Sequence, residues 1–230
     1  MSALGYTQML LKKARQASAL VVNCHASSGT VVDGTNNKTI TLNTTGSQVL
    51  IIGLQSQGIA TVNITETGAT NTWTQIVERH VPFEFCAIYS AVSPNTSATH
   101  SINVQAAGST SFCIIGVNGF GGTPTIDPST NGYSYSSATS ITNFNVGSVT
   151  PSQANNIVVT MVALNQFGTT TNIAIDSGFT ISDKSETGAY IRYAFANLIQ
   201  TTATSQNPKW SWTGGDNTGI AGVIAIIDDV

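Results

Sequence analysis

Two short runs, VLIIGL at residues 49–54 and IVVTMVAL at residues 157–164, constrain the fold of this chain most. Each is continuous, apolar and of strand length, and rich in the β-branched residues that suit extended backbone. The segments around the first run alternate instead. Residues 38–43 put Ile40 and Leu42 on one face, residues 61–65 put Val62 and Ile64 there, and residues 101–105 put Ile102 and Val104 there. Residues 83–92 carry Phe85, Ala87, Tyr89 and Ala91 on one face, and residues 73–77 and 112–117 add two more strands. Clusters of Gly, Pro, Asn and Ser fall between them, which is turn chemistry. Short strands at intervals of roughly 8–12 residues predict an all-β sandwich or barrel.

The second half of the chain repeats this plan at offsets of 104–111 residues. Residues 157–164 answer 49–54, Ile173 and Ile175 answer Val62 and Ile64, and Phe179 falls where Trp73 falls. YIRYAFAN at 190–197 answers CAIYSAVS at 86–93, with Tyr193 opposite Tyr89, while Trp210 and Trp212 answer Ile102 and Val104. The pattern predicts an internal duplication. Its parts are an arm and linker at residues 1–37, one repeat at 38–122, a linker at 123–143 and a second repeat at 144–230. About seven strands per copy suit an Ig-like Greek key, or the two copies form the two sheets of a larger jelly roll. The arm is the one candidate helix, with Leu4, Leu11 and the basic cluster Lys12, Lys13 and Arg15.

Charge sets limits on partners. Only 8% of residues are charged, against about 25% in ordinary globular domains. The surface must therefore be Thr, Ser, Asn and Gln, which does little to repel neighbouring copies. A net charge of −3 leaves no basic field for duplex nucleic acid. No stretch is long and apolar enough to span a membrane as a helix. The N-terminal stretch does not read as a secretory signal, because its basic residues lie within the apolar segment rather than before it.

Chemistry is sparse in the sequence. There is no G-x-S-x-G elbow, no H-x-x-x-H pair and no Cys-x-x-Cys. His25, His80 and His100 read as solvent-facing residues. Glu66, Glu78 and Glu84 lie in one stretch and could converge at a sandwich end, but exposed hairpin charges explain them more simply. Asp176, Asp183, Glu186, Asp216, Asp228 and Asp229 carry oxygen ligands in loops, without a D-x-D-x-D-G pattern, and no metal or cofactor is expected. Cys24, Cys86 and Cys113 read as small buried hydrophobes, with a Cys86–Cys113 disulfide left open. Trp73, Trp210 and Trp212 sit at core positions of the repeat, so Tyr133 and Tyr135 are the better candidates for ligand binding.

The duplicated motif resembles β-sandwich domains of phage virion proteins and some bacterial surface proteins. The matching pieces are residues 49–54, NTWTQ at 71–75, IYSAVSP at 88–94 and IIGVNGF at 114–120, with residues 157–164, 178–181, 193–197 and 223–227 following in the second copy. That copy lacks the Asn-x-Trp. The resemblance covers about residues 38–230 and implies a class, that of decoration, fibre and adhesion proteins. Together with the charge-poor surface, the lack of a secretory signal, the odd cysteine and the basic N-terminal arm, it leads to the expectation of a non-enzymatic capsid decoration (cement) protein on the outer face of a virion, bound to the major capsid protein and homo-oligomeric, with a trimer favoured. Leu4, Leu11, Lys12, Lys13 and Arg15 would then form the docking segment. A carbohydrate-binding or adhesin module is the alternative, with Tyr133 and Tyr135 as its ligand contacts.

Overall fold

The computed structural model describes residues 21–27, 37–57, 61–81, 84–107, 113–127, 132–136, 141–167, 170–186, 191–214 and 216–229. These residues are all-β, with no helix among them. The expected N-terminal helix or arm, with Leu4, Leu11, Lys12, Lys13 and Arg15, lies outside the described residues.

In the first half, β1 (Val22–Ser27), β3 (Val49–Ser56), β5 (Thr74–Val81), β6 (Glu84–Val92) and β8 (Cys113–Phe120) form one sheet, in the order β1-β8-β3-β6-β5. A smaller sheet, β2-β7-β4, comes from β2 (Asn37–Leu42), β4 (Thr61–Thr67) and β7 (His100–Ala107). After β9 (Pro124–Ile126), the second half repeats this arrangement. Its large sheet has the order β10-β17-β12-β15-β14, from β10 (Gly132–Ser136), β12 (Asn156–Phe167), β14 (Thr180–Ser185), β15 (Ile191–Gln200) and β17 (Asp216–Asp229). Its small sheet is β11-β16-β13, from β11 (Asn143–Asn145), β13 (Thr171–Ile175) and β16 (Lys209–Thr213). All pairings are antiparallel. In each half the first strand pairs with the last, the second with the next to last and the third with the sixth. Such nested pairing is that of a jelly roll, with the fifth strand moved onto the large sheet.

The two sandwiches stack through their large sheets, giving four layers and three apolar interiors. One interior lies within the first sandwich (Ile52, Leu54, Phe85, Ile102, Val104) and one within the second (Val158, Val162, Phe144, Trp210, Trp212). The third lies between the large sheets and joins Val49, Ile51, Ile88 and Phe120 to Ile157, Met161, Tyr193, Phe195 and Val223. The continuous apolar runs follow from this. The eight residues of β3 are all buried because both faces of its sheet are covered. Strand β4, in a small outer sheet, alternates between exposed and half-buried.

The register gives the true correspondence between halves. Val49 pairs with both Val92 and Phe120, as Ile157 pairs with both Ile199 and Ile227. Tyr193 therefore matches Cys86, not Tyr89. Tyr89 points into the first sandwich and Tyr193 between the halves. Two segments read as connections also carry strands: β1 lies in the expected 1–37 arm and linker, and β9, β10 and the start of β11 lie in the expected 123–143 linker. Edge strands are paired on one side only, so an apolar pattern was not required of them.

Candidate functional site

The connections β2–β3, β4–β5 and β6–β7 meet at one end of the first sandwich, where polar side chains fasten them. Glu66 Oε1 accepts a hydrogen bond from His100 Nε2 at 2.9 Å, and His100 Nδ1 lies 3.2 Å from Thr44 Oγ1. Thr44 Oγ1 in turn accepts from the Ser97 amide at 3.0 Å. Glu66 Oε2 also accepts the Asn71 amide at 2.6 Å. Asn71 and Asn95 bond reciprocally, since Asn71 Oδ1 accepts the Asn95 amide and Asn71 Nδ2 donates to the Asn95 carbonyl. Gly68, at φ +86°, brings its turn so close to the Thr99 carbonyl that a Cβ there would lie 2.6 Å from the oxygen. The order hydroxyl, imidazole, carboxylate is that of a nucleophile relay. Here, however, Thr44 and His100 are fully enclosed and the hydroxyl is already engaged, so the relay acts as a clasp. His100, expected at the surface, is instead its central bridge. His100→Ala is expected to cost about 2–3 kcal/mol, the penalty for stripping partners from buried polar groups, and to speed hydrogen exchange at the Asn95 and Ser97 amides. A denaturation midpoint equal to the parent's would show that these side chains do not hold the connections together.

The three glutamates do not converge. Glu66 belongs to the clasp, Glu78 is exposed on edge strand β5, and Glu84 is buried between the large sheets. Glu84 Oε2 accepts from Gln55 Nε2 at 3.1 Å, and burial pushes the carboxyl well above the usual range, with the Gln55 bond opposing. The candidate calcium residues are spread among other tasks. Asp176 accepts from the Lys209 amide, Glu186 pairs with Lys184 at 2.7 Å, and Asp228 accepts from Ser152 at 2.7 Å. Among the described residues no three metal-ligating side chains form a group. Cys24 and Cys86 are free thiols, so the Cys86–Cys113 bridge is not formed. Tyr133 is 58% exposed, and the Arg79 guanidinium sits 5.0 Å from its ring centre. Tyr135 pairs through its backbone with Ala221 on β17.

The outer face of β2-β7-β4 is a grid of uncharged polar residues. Its rows are Asn37–Gln105–Asn63, Thr39–Asn103–Thr65 and Thr41–Ser101–Thr67. Asn103 donates to Asn37 and to Thr39, and Thr41 donates to Ser101, so the rows are already knitted together. The matching face of the second half carries Asn143, Ser211 and Asn145 with one cation, Lys209.

Two concave mouths open where the large sheets part. One, of about 460 Å³, is lined by Thr72, Thr74, Ile76, Ser90, Val92 and Ile126. The other, of about 500 Å³, is lined by Val22, His25, Thr180, Ser182, Asn197 and Ile199, with Gly178 and Leu198. Their rims correspond through the duplication. Thr74 pairs with Ser90 as Thr180 does with Asn197, and Val22 pairs with Phe120 as Ile126 does with Ile227. Sequence reading singled out neither mouth, because their residues are ordinary Thr, Ser and Val brought together only by the stacking of the halves.

No protein-family model, no curated protein and no solved structure matches this chain.

Proposed function

We propose that this chain is a virion structural protein of the decoration type, which lies on a capsid and bridges its subunits. The observation that carries this reading is the uncharged Thr/Asn/Ser grid on the outer sheet of a chain with only 8% charged residues. Such a face binds through many weak hydrogen bonds that add when a partner repeats in space, and it lacks the like charges that hold copies apart. The four-layer stack suits a mechanical role, since three interiors brace it across its thickness. Jelly rolls recur in capsid and lectin domains, so the fold favours this class of role without naming one. On this reading Leu4, Leu11, Lys12, Lys13 and Arg15 form the segment that docks on the major capsid protein, and closed symmetry, a trimer, matches the local axes of a shell.

The test is the number of copies of this chain per copy of the main shell protein in gradient-purified particles, by quantitative mass spectrometry. A simple fraction is expected. Absence from particles would end the virion reading, and a few copies per particle would favour a fibre. Deleting residues 1–20 is expected to abolish attachment while circular dichroism still reports the β fold, and unchanged attachment would exclude the docking segment. The exposed Tyr133 ring keeps a glycan-binding module as the second reading. It requires glycan binding that is lost in Tyr133→Ala.

A further inference from the structure

The two mouths share a rim but differ in their floors. In the second, a directed chain of hydrogen bonds crosses from one large sheet to the other. Ser182 Oγ donates to the Phe195 carbonyl at 3.2 Å, and Asn118 Nδ2 donates to Ser182 Oγ at 2.9 Å. Asn118 Oδ1 is thus left as an acceptor, 2.6 Å from His25 Nδ1. That direction fixes the imidazole: Nδ1 carries the hydrogen, and in the neutral ring Nε2 is a lone-pair acceptor. Asn118 is fully buried while His25 is exposed in the mouth, so the ring is oriented from below and open above. In the first mouth the matching positions are apolar. Ile76 stands in the place of Ser182 and Ala225 in that of Asn118. The fold therefore does not need this polar chain.

We propose that the mouth between β1 and β14–β15 is a binding site for an extended, neutral segment of a partner protein, which donates a backbone N–H to His25 Nε2 and seats an apolar side chain against Val22 and Ile199. Three observations choose this occupant. The site offers an oriented acceptor, which calls for an N–H or O–H donor. Its described lining residues include no Asp, Glu, Lys or Arg, so a charged ligand would be desolvated without a counter-charge from them. Among the described lining residues there is no Phe, Tyr or Trp, so a sugar finds no broad stacking face, whereas Val22 and Ile199 remain 45% and 36% exposed beside the polar chain. A few oriented polar groups on an apolar wall are the usual makeup of a ligand site of this volume. This inference stands apart from the virion reading. If that reading holds, the segment belongs to the shell.

The experiment is a titration of the isotope-labelled full chain, followed by amide NMR. The probes are a capped neutral hexapeptide alternating Val with Thr and Asn, its backbone N-methylated analogue, and N-acetylglucosamine. The expected result is saturable shifts at Val22, His25, Ser182 and Ile199 with the hexapeptide alone. His25→Phe should weaken binding about tenfold, the worth of one hydrogen bond of about 1.4 kcal/mol, and Ile199→Asp should abolish it. Val92→Asp in the apolar twin should leave it unchanged. The spectra also report whether each variant is folded. Equal shifts in both mouths, tighter binding of the N-methylated peptide or the sugar, or no shift with any probe would overturn the proposal. Peptide binding by a protein absent from particles would overturn only the virion reading.

Discussion

Phe195→Ala is expected to lower stability by about 3–5 kcal/mol, the range for removing a large buried aromatic ring. Phe195 is fully buried between the two halves. Its ring rests on a flat seat made by Gly53 and Gly116, which face each other across β3 and β8. A Cβ at Gly53 would stand 3.1 Å from the ring, and one at Gly116 would stand 3.5 Å from it. The matching positions in the other half are Met161 and Val223, also a cross-strand pair, so the glycines follow from this ring rather than from the jelly roll. Gly53→Val should accordingly overpack the seat and cost about 1–3 kcal/mol. In the Phe195→Ala background the same change should cost less, because the added methyls enter the space the ring has left. Urea denaturation of the four chains gives the coupling directly. Costs that simply add would mean that ring and glycines do not share a seat. A single transition for both halves is part of the expectation, since neither large sheet has its second face covered alone.

Glu84→Gln should raise stability above neutral pH and flatten its pH dependence. The Glu84 carboxyl is enclosed, and burial holds its folded-state pKa well above the ordinary value. The sign follows from proton binding. The folded chain keeps the proton at pH values where the unfolded chain has lost it. Stability from this group is therefore full below the unfolded value of about 4.3 and falls as pH rises toward the folded value, by roughly 1 kcal/mol per pH unit. Gln at position 84 still accepts the Gln55 hydrogen bond and has no proton to lose. Glu84→Ile should behave alike, because Ile191 occupies the matching place in the second half. Asp228 is also raised, by burial and then by Asp127 against the Ser152 bond, and acts with the same sign. The difference between parent and variant from pH 4 to 8 isolates Glu84. Parallel curves for the two chains would show that the carboxyl is not the source of the slope.

The sandwich was legible because its strands are of two kinds. VLIIGL and IVVTMVAL show no alternation, and TVNIT does, which separates sheets covered on both faces from sheets covered on one. The duplication was legible too, but its alignment slipped. Matching Tyr89 to Tyr193 paired side chains from opposite faces, an error only cross-strand register exposes. β1 and β10 escaped notice because an edge strand is paired on one side only and needs no apolar pattern, and GYSYS shows none. Glu84 and His100 looked like surface charges, since nothing in their neighbours along the chain announces that a distant Gln55 or Glu66 will enclose them. The mouth at His25 lies furthest from sequence reading. Its polar chain runs through His25, Asn118 and Ser182, which are scattered over the chain and meet only after both halves have folded and stacked.

The equivalence of the halves makes the order of the two jelly rolls along the backbone immaterial to the stack. Residues 121–131 already carry the chain from the last strand of one half to the first strand of the other, from β8 to β10. By the same geometry a connection of that length can carry it from β17 back to β1. A circularly permuted chain that starts at Gly132 and ends at Asp127 therefore has every strand pair of the parent open to it. The architecture is a pair of equivalent sandwiches whose stacking does not depend on which of them comes first along the backbone.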